Sequence, residues 1–284
     1  MTKTPAQFTP IGDLIVQLTG SPEDENRLAV ASDLAESFGA HLIGVHLHVL
    51  PDILDITDPM QSATIRELLE ASDQEADRAF KSLAPRLEAL PGSHEVLRLH
   101  GLAADVARDL ASITRNADVF VGTRPYGDPE GRYQIEEEVL FGGGRSCLFL
   151  PPGGSPHRRF DTIVVAWDAS RESARAAAEA MPLLVRAKTV RLLHVSSPLD
   201  DPKDGEKELS RITQHLRHHG IEPESSVVPF VNSTGEAIEA FAHQQNADLL
   251  VMGAYGHPRL VEFVFGGATR YVLRHATLPV LMAH

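Results

Sequence analysis

Asp13-Leu-Ile-Val-Gln-Leu, near the start of the chain, is answered 148 residues later by Asp161-Thr-Ile-Val-Val-Ala. At the same spacing Gly44-Val45-His46 falls opposite Leu192-Leu193-His194. Further on, Ala117-Asp-Val-Phe-Val-Gly matches Ala247-Asp-Leu-Leu-Val-Met, and Val139-Leu-Phe-Gly-Gly agrees in character with Val264-Phe-Gly-Gly. A chain that repeats itself once is two related modules joined. The 284 residues therefore predict two domains, each of about 140 residues and large enough to bury its own core.

Each half alternates short apolar runs with segments of helical period, which is how parallel strands joined by crossover helices read. The second half predicts strands near 162–167, 189–195, 225–229, 248–252 and 279–283, with helices near 171–186, 203–219, 234–246 and 267–275. The first half predicts strands near 13–18, 41–48, 94–99, 118–122 and 147–150 and a long helix near 61–90. Pro151-Pro-Gly-Gly-Ser-Pro156 continues neither kind of element and reads as the joint, giving domains 1–152 and 153–284. Aliphatic residues dominate the 43% hydrophobic share while aromatics make up 6%, a balance that suits helices packed on both faces of a parallel sheet.

The formal charge of −13 repels nucleic acid and anionic lipid surfaces, so neither is expected as a partner. The charge is uneven: residues 1–155 carry 24 acids against 12 bases, residues 156–284 carry 15 against 14. An anionic ligand meets less repulsion in the second half. Met1 to Pro10 has neither a basic start nor an apolar run, so no signal peptide is expected, and no stretch approaches the length of a membrane helix. The single cysteine, Cys147, excludes an internal disulfide and fits a reducing, cytoplasmic compartment.

The last forty residues carry the densest signal: Ala247-Asp-Leu-Leu-Val-Met-Gly253-Ala-Tyr-Gly256, nine residues to Gly266-Gly267, a helical run from Ala268 to His275, and Leu278-Pro-Val-Leu-Met. A glycine turn after a buried strand admits positive φ and a close ligand. Glycines opening a helix add unpaired N–H groups and a partial positive charge, a cradle for phosphate. This order of strand, Gly-x2-Gly, nine residues, Gly and helix resembles the nucleotide-binding signature of the universal stress protein family. The resemblance implies an α/β architecture of two tandem five-stranded parallel sheets flanked by helices, the adenine nucleotide alpha hydrolase-like fold. Gly267 stands where ATP-binding members carry Ser or Thr, with Thr269 the nearest hydroxyl, and Trp167 replaces a small residue.

Carried over residue by residue, the resemblance implies that the loop Ala166, Trp167 and Asp168 meets the nucleoside and that the backbone of Val195, in His194-Val195, pairs with the adenine edge. Met252 and Gly253 would lie along the ribose and phosphate path; Gly256, Gly266, Gly267, Ala268 and Thr269 would hold the phosphates. The implied ligand is ATP or another adenine nucleotide, with magnesium as its companion ion. Ligands in open α/β sheets bind outside the carboxyl ends of strands where the winding reverses, so the loops after the first and fourth strands are expected to face each other. The family's fifth strand is an edge that pairs with its like, so Leu148 to Leu150 and Val280 to Met282 are expected to join the halves as a pseudo-dimer, with further homodimerisation and a protein partner of unassigned identity beyond that.

The first half departs from the signature. Thr123-Arg124-Pro125-Tyr126-Gly127 replaces the Gly-x2-Gly turn, and after Gly142-Gly143-Gly144 the chain runs straight into the strand at Cys147 with no helix between. It is not expected to bind ATP conventionally. His215, His218 and His219 read as a solvated helix end, His46 and His48 as residues on one strand face with a role in the fold, Cys147 as an inert buried thiol, and Glu136-Glu137-Glu138 as a solvated helix face. No Gly-x4-Gly-Lys loop, Gly-x-Ser-x-Gly elbow or His-Glu-x2-His pair is present, so no catalytic residue and no metal site is assigned. The expected function is a regulatory stress-response protein that binds an adenine nucleotide in its second half. The alternatives are a nucleotide-independent interaction or chaperone-like module and a slow metal-dependent ATPase.

Overall fold

The computed structural model describes residues 11–51, 62–126, 134–154, 159–197, 202–230, 232–254 and 267–284. The first half runs β1 (Asp13–Leu18), α1 (Asp24–Phe38), β2 (His41–Val49), α2 (Ser62–Glu88), β3 (His94–Gly101), α3 (Ala103–Thr114), β4 (Val119–Thr123), α4 (Gln134–Gly142) and β5 (Ser146–Leu150). The second runs β6 (Thr162–Ala166), α5 (Arg171–Leu184), β7 (Thr189–Ser196), α6 (Pro202–His218), β8 (Glu224–Pro229), α7 (Thr234–Gln244), β9 (Leu249–Gly253), α8 (Ala268–His275) and β10 (Val280–Ala283).

All ten strands form one sheet in the order β3-β2-β1-β4-β5-β10-β9-β6-β7-β8. Each half is a parallel five-stranded unit of the same winding, and the halves meet at one antiparallel pair, β5 with β10, where Leu281 stands opposite Leu148 and Met282 opposite Cys147. Every residue of β5 is buried. This seam removes both would-be edge strands from solvent.

Alternation along the strands sends successive side chains to opposite faces. Leu14, Val16, Ile163 and Val165 face the core covered by α1, α2, α5 and α6, whereas Ile15, Val164 and Ala166 face the one covered by α3, α4, α7 and α8. The repeated Ala-Asp dipeptide has a physical basis. Asp118 Oδ2 accepts from the backbone N–H of Gly12 (2.6 Å) and Asp13 (3.1 Å), and Asp248 Oδ2 accepts from those of Asp161 (3.1 Å) and Thr162 (2.8 Å). In both halves, the carboxylate before the fourth strand ties down the start of the first.

Contacts also cross between the halves away from the seam. Arg124, at the end of β4, donates to the carbonyls of Ala276 (3.0 Å), Leu273 (2.8 Å) and Arg274 (2.6 Å), the unpaired C-terminal acceptors of α8. Arg186 donates to the Ser37 carbonyl at 2.8 Å with its guanidinium 3.7 Å from the Phe38 ring centre. The glycine triple of the first half closes α4 instead of opening a helix, with Gly144 in the left-handed region at φ 65°. One expectation is corrected here. Glu136 is not on a solvated face: it is 5% exposed and accepts from Gln17 Nε2 at 2.7 Å, because α4 lies over the end of β1.

Candidate functional site

The strand order reverses between β6 and β9, and beyond their carboxyl ends two segments face each other. One is the turn Trp167 to Ser170. Ala169 takes a left-handed φ of 58°, unusual for a residue with a Cβ, and lets the chain swing from β6 into α5. Ser170 then caps α5, its hydroxyl accepting from Ser173 N. Asp168 Oδ1 accepts from the Ser170 amide at 3.0 Å and hydroxyl at 2.6 Å. Partial burial pushes the Asp168 carboxyl up, but these hydrogen bonds outweigh it and leave the group below the ordinary carboxylate range.

Gly253, on the other side, does not use a positive φ. Its lack of a side chain serves packing: a Cβ there would stand 2.5 Å from Ser173 N and 2.6 Å from the Glu172 carbonyl carbon, so α5 begins directly against it. Sequence reasoning read this glycine as room for a ligand; the first turn of α5 fills that room. Met252 and Ala166 are buried, at 5% and 8% exposure, with side chains in the core under α7 and α8. Only their backbones are available to the crevice. Trp167 is half-buried against the core of the α5 and α6 face, alternating with Val165, and its carbonyl accepts from His194 Nδ1 at 3.0 Å.

Val195 contributes backbone. The Leu193 carbonyl accepts from Trp167 N at 2.8 Å, toward β6, while the Ser196 carbonyl accepts from Phe230 N at 2.9 Å, toward β8. Peptide groups alternate along a strand, so Val195 turns its N–H and C=O to the β6 side, where β6 has already ended. Gly267 is the N-cap of α8 without a side-chain cap, Ala268 is half-buried, and Thr269 is buried at 3% exposure. Gly256 and Gly266 lie outside the described residues.

The matching crevice in the first half holds a feature that the sequence did not reveal. A cavity of about 450 Å³ is lined by residues that include Gln17, Thr19, His46, His48, Glu75 and Glu136. Leu47 and Thr19, also in its wall, are the repeat counterparts of Val195 and Trp167; a small hydroxyl stands where the second half has an indole. Gln17 Oε1 and His46 Nδ1 are buried without a hydrogen-bond partner among the described residues. Burial, reinforced by Arg98 and His48, lowers His46 to about 4, so the ring is neutral. A signal was available: Gln17 interrupts the otherwise apolar run of β1. The turn after β1 is closed to anions, because Asp24 Oδ1 and Oδ2 already accept from Thr19 N (3.0 Å) and Gly20 N (2.8 Å), and Asp24 is paired with buried Arg27 at 3.0 Å.

The remaining candidates sort simply. His215, in the exposed last turn of α6, and His219, just past its end, have ring centres 5.0 Å apart. Cys147 is fully buried in β5, and burial pushes its thiol far up. No helix among the described residues is long and apolar enough to cross a membrane.

Strand order and crossover helices define a doubly wound α/β protein in duplicate. The model of the universal stress protein family matches residues 159–284, the second half of the chain. A universal stress protein of Synechocystis is 43% identical over 51 residues, 18% of this chain and 18% of that protein. A universal stress protein from Archaeoglobus fulgidus superposes with a TM-score of 0.73 at 17% identity, covering 95% of both chains. A Pseudomonas aeruginosa protein described under the same family name reaches a TM-score of 0.61 at 14% identity over 96% of this chain and 93% of its own. Those two likenesses extend the shared fold to both halves.

Proposed function

We propose that the protein is a stress-response regulator whose second half holds an adenine nucleotide. The reading is supported by one observation above the others: at the winding reversal β6 ends before Val195, which turns its backbone N–H and C=O to the β6 side, and the turn that carries Asp168 starts from that same strand end. A purine edge is matched by the backbone donor and acceptor of one strand residue, and a ribose hydroxyl is matched by a carboxylate. Asp168, Val195, Gly253 and the amides at the start of α8 would hold the nucleoside and phosphates. The nucleotide supplies a ligand whose charge changes with its phosphate number, and so a signal. The near-neutral balance of residues 156–284 supports an anionic ligand there more than in the strongly acidic first half.

Heat-denaturing the purified protein and separating the released small molecules should yield AMP, ADP or ATP. Calorimetry with each nucleotide should show that Asp168→Ala weakens binding about tenfold, the worth of one charged hydrogen bond. Glu75→Trp, which crowds the first-half cavity, should leave the affinity unchanged. The reverse pattern would move the site to the first half. Gly253→Val is unsuitable as a probe because it collides with α5. Unchanged ATP after hours with magnesium would leave binding without hydrolysis, and the absence of nucleotide from every preparation would favour an interaction module.

A further inference from the structure

Three ligating side chains from separate elements meet at the carboxyl ends of β2 and β3. His48 and His100 are partners in the parallel ladder, which places both rings on one face with centres 4.7 Å apart and Nδ1 atoms 2.8 Å apart. Helix α2 passes over this face and delivers Asp73, whose Oδ1 lies 3.6 Å from His48 Nδ1. The three ligand atoms all fall within 4.8 Å of one another, and among the described residues no other such group is found.

We propose that His48, His100 and Asp73 form a binding site for a divalent transition metal of the zinc class. Tetrahedral ligands about 2.0–2.1 Å from zinc stand roughly 3.3–3.4 Å from one another. The observed 2.8 Å and 3.6 Å bracket that value, so admitting the ion parts the rings by about half an ångström. The orientation of His48 is already that of a ligand. Its Nε2 lies 3.0 Å from Ser72 Oγ; a ring that donates Nε2–H to a hydroxyl presents an unprotonated Nδ1 to the cluster, the outer-shell arrangement of metal-bound histidines. Without metal, His100 Nδ1–H donates into that lone pair. With metal, the His100 proton resides on Nε2 and both Nδ1 atoms face the ion. The charge of Arg98 acts against the ion, and Asp77, paired with it at 2.5 Å, offsets that repulsion in part.

Two protein nitrogens and one carboxylate oxygen leave the fourth position open. His48 and Ser72 belong to the wall of the first-half cavity, whereas His100 and Asp73 are exposed. The ion therefore enters from solvent and can present its open position to a ligand in the cavity. The site is independent of nucleotide binding in the second half.

The test uses the full-length chain without an affinity tag, stripped with chelator, exchanged into metal-free buffer and titrated with zinc chloride in a calorimeter. One zinc per chain is expected. His100→Ala should weaken it roughly a hundredfold, and Asp73→Asn and Ser72→Ala each about tenfold, the usual range for ligand and outer-shell losses. His215→Ala should bind as wild type. Circular dichroism shows whether each variant folds, and if His100→Ala does not, the exposed Asp73→Asn decides. Absence of zinc uptake at micromolar concentration, or equal uptake by wild type, His100→Ala and Asp73→Asn, would overturn the site.

Discussion

Asp118 and Asp248 show how a repeat persists for a local reason. Each carboxylate accepts two backbone N–H groups at the start of the neighbouring strand, and such charged hydrogen bonds are worth about 1.5–3 kcal/mol. Asp248→Ala should lower the unfolding free energy by about that amount and Asp248→Asn by less, measured by urea denaturation. Gly253 is governed by contact: Gly253→Val should cost about 2–3 kcal/mol by overpacking against the start of α5. His46 sets a pH dependence. Its folded value of about 4 lies below the ordinary 6.5, so the unfolded chain takes up a proton first. The penalty is absent above pH about 6.5 and grows as pH falls toward about 4, to on the order of 3 kcal/mol. In chelator-treated protein, wild type should lose more stability than His46→Leu between pH about 7 and about 4.5; equal losses would remove His46 from the account.

At the scale of elements, α8 depends on the other half of the chain. Its C-terminal carbonyls are satisfied by Arg124, which stands where the second half carries its glycine turn. A cation at a helix C-terminus with three acceptors is worth about 1–2 kcal/mol. Arg124→Ala should therefore speed amide hydrogen exchange in Val272 to His275 before it affects β1 or β2. Strand β5 is sealed between β4 and β10. Native protein should accordingly resist alkylation of Cys147 until urea reaches the unfolding range, and rapid native labelling would show that the seam opens. The strands of both halves, helix α2 and the helices of the second half were legible from periodicity, since alternation and helical period are local properties, whereas α1, α3 and α4 were not placed. The place of α4 over β1 was not legible, because Glu136 and Gln17 are separated by 119 positions and nothing in their flanks marks them as partners.

For the molecule as a whole, the single ten-stranded sheet joins what the repeat presents as two units. Residues 159–284 expressed alone would leave β10 as an open apolar edge, which strands satisfy by pairing. Sedimentation should show a concentration-dependent dimer, and Leu281→Lys should return it to monomer. A monomer at all concentrations would mean that the seam is held mainly by contacts such as those of Arg124 and Arg186. Duplication also frees one half to diverge. The first-half crevice has replaced Trp167 and Val195 with Thr19 and Leu47 and surrounds them with Gln17, His46, His48 and Glu136, a polar setting unlike that of its counterpart.

The amino-acid sequence by itself determined the duplicated α/β plan, the strands of both halves and the helices of the second, because periodicity and repetition are written in neighbouring residues; the pairing of the last strands came from the family resemblance. Only the tertiary structure decided that Gly253 makes room for α5, that Glu136 is buried, and that His48, Asp73 and His100 meet. Those outcomes depend on strand register and on which helix crosses which strand end, and they bring together residues that no spacing along the chain connects.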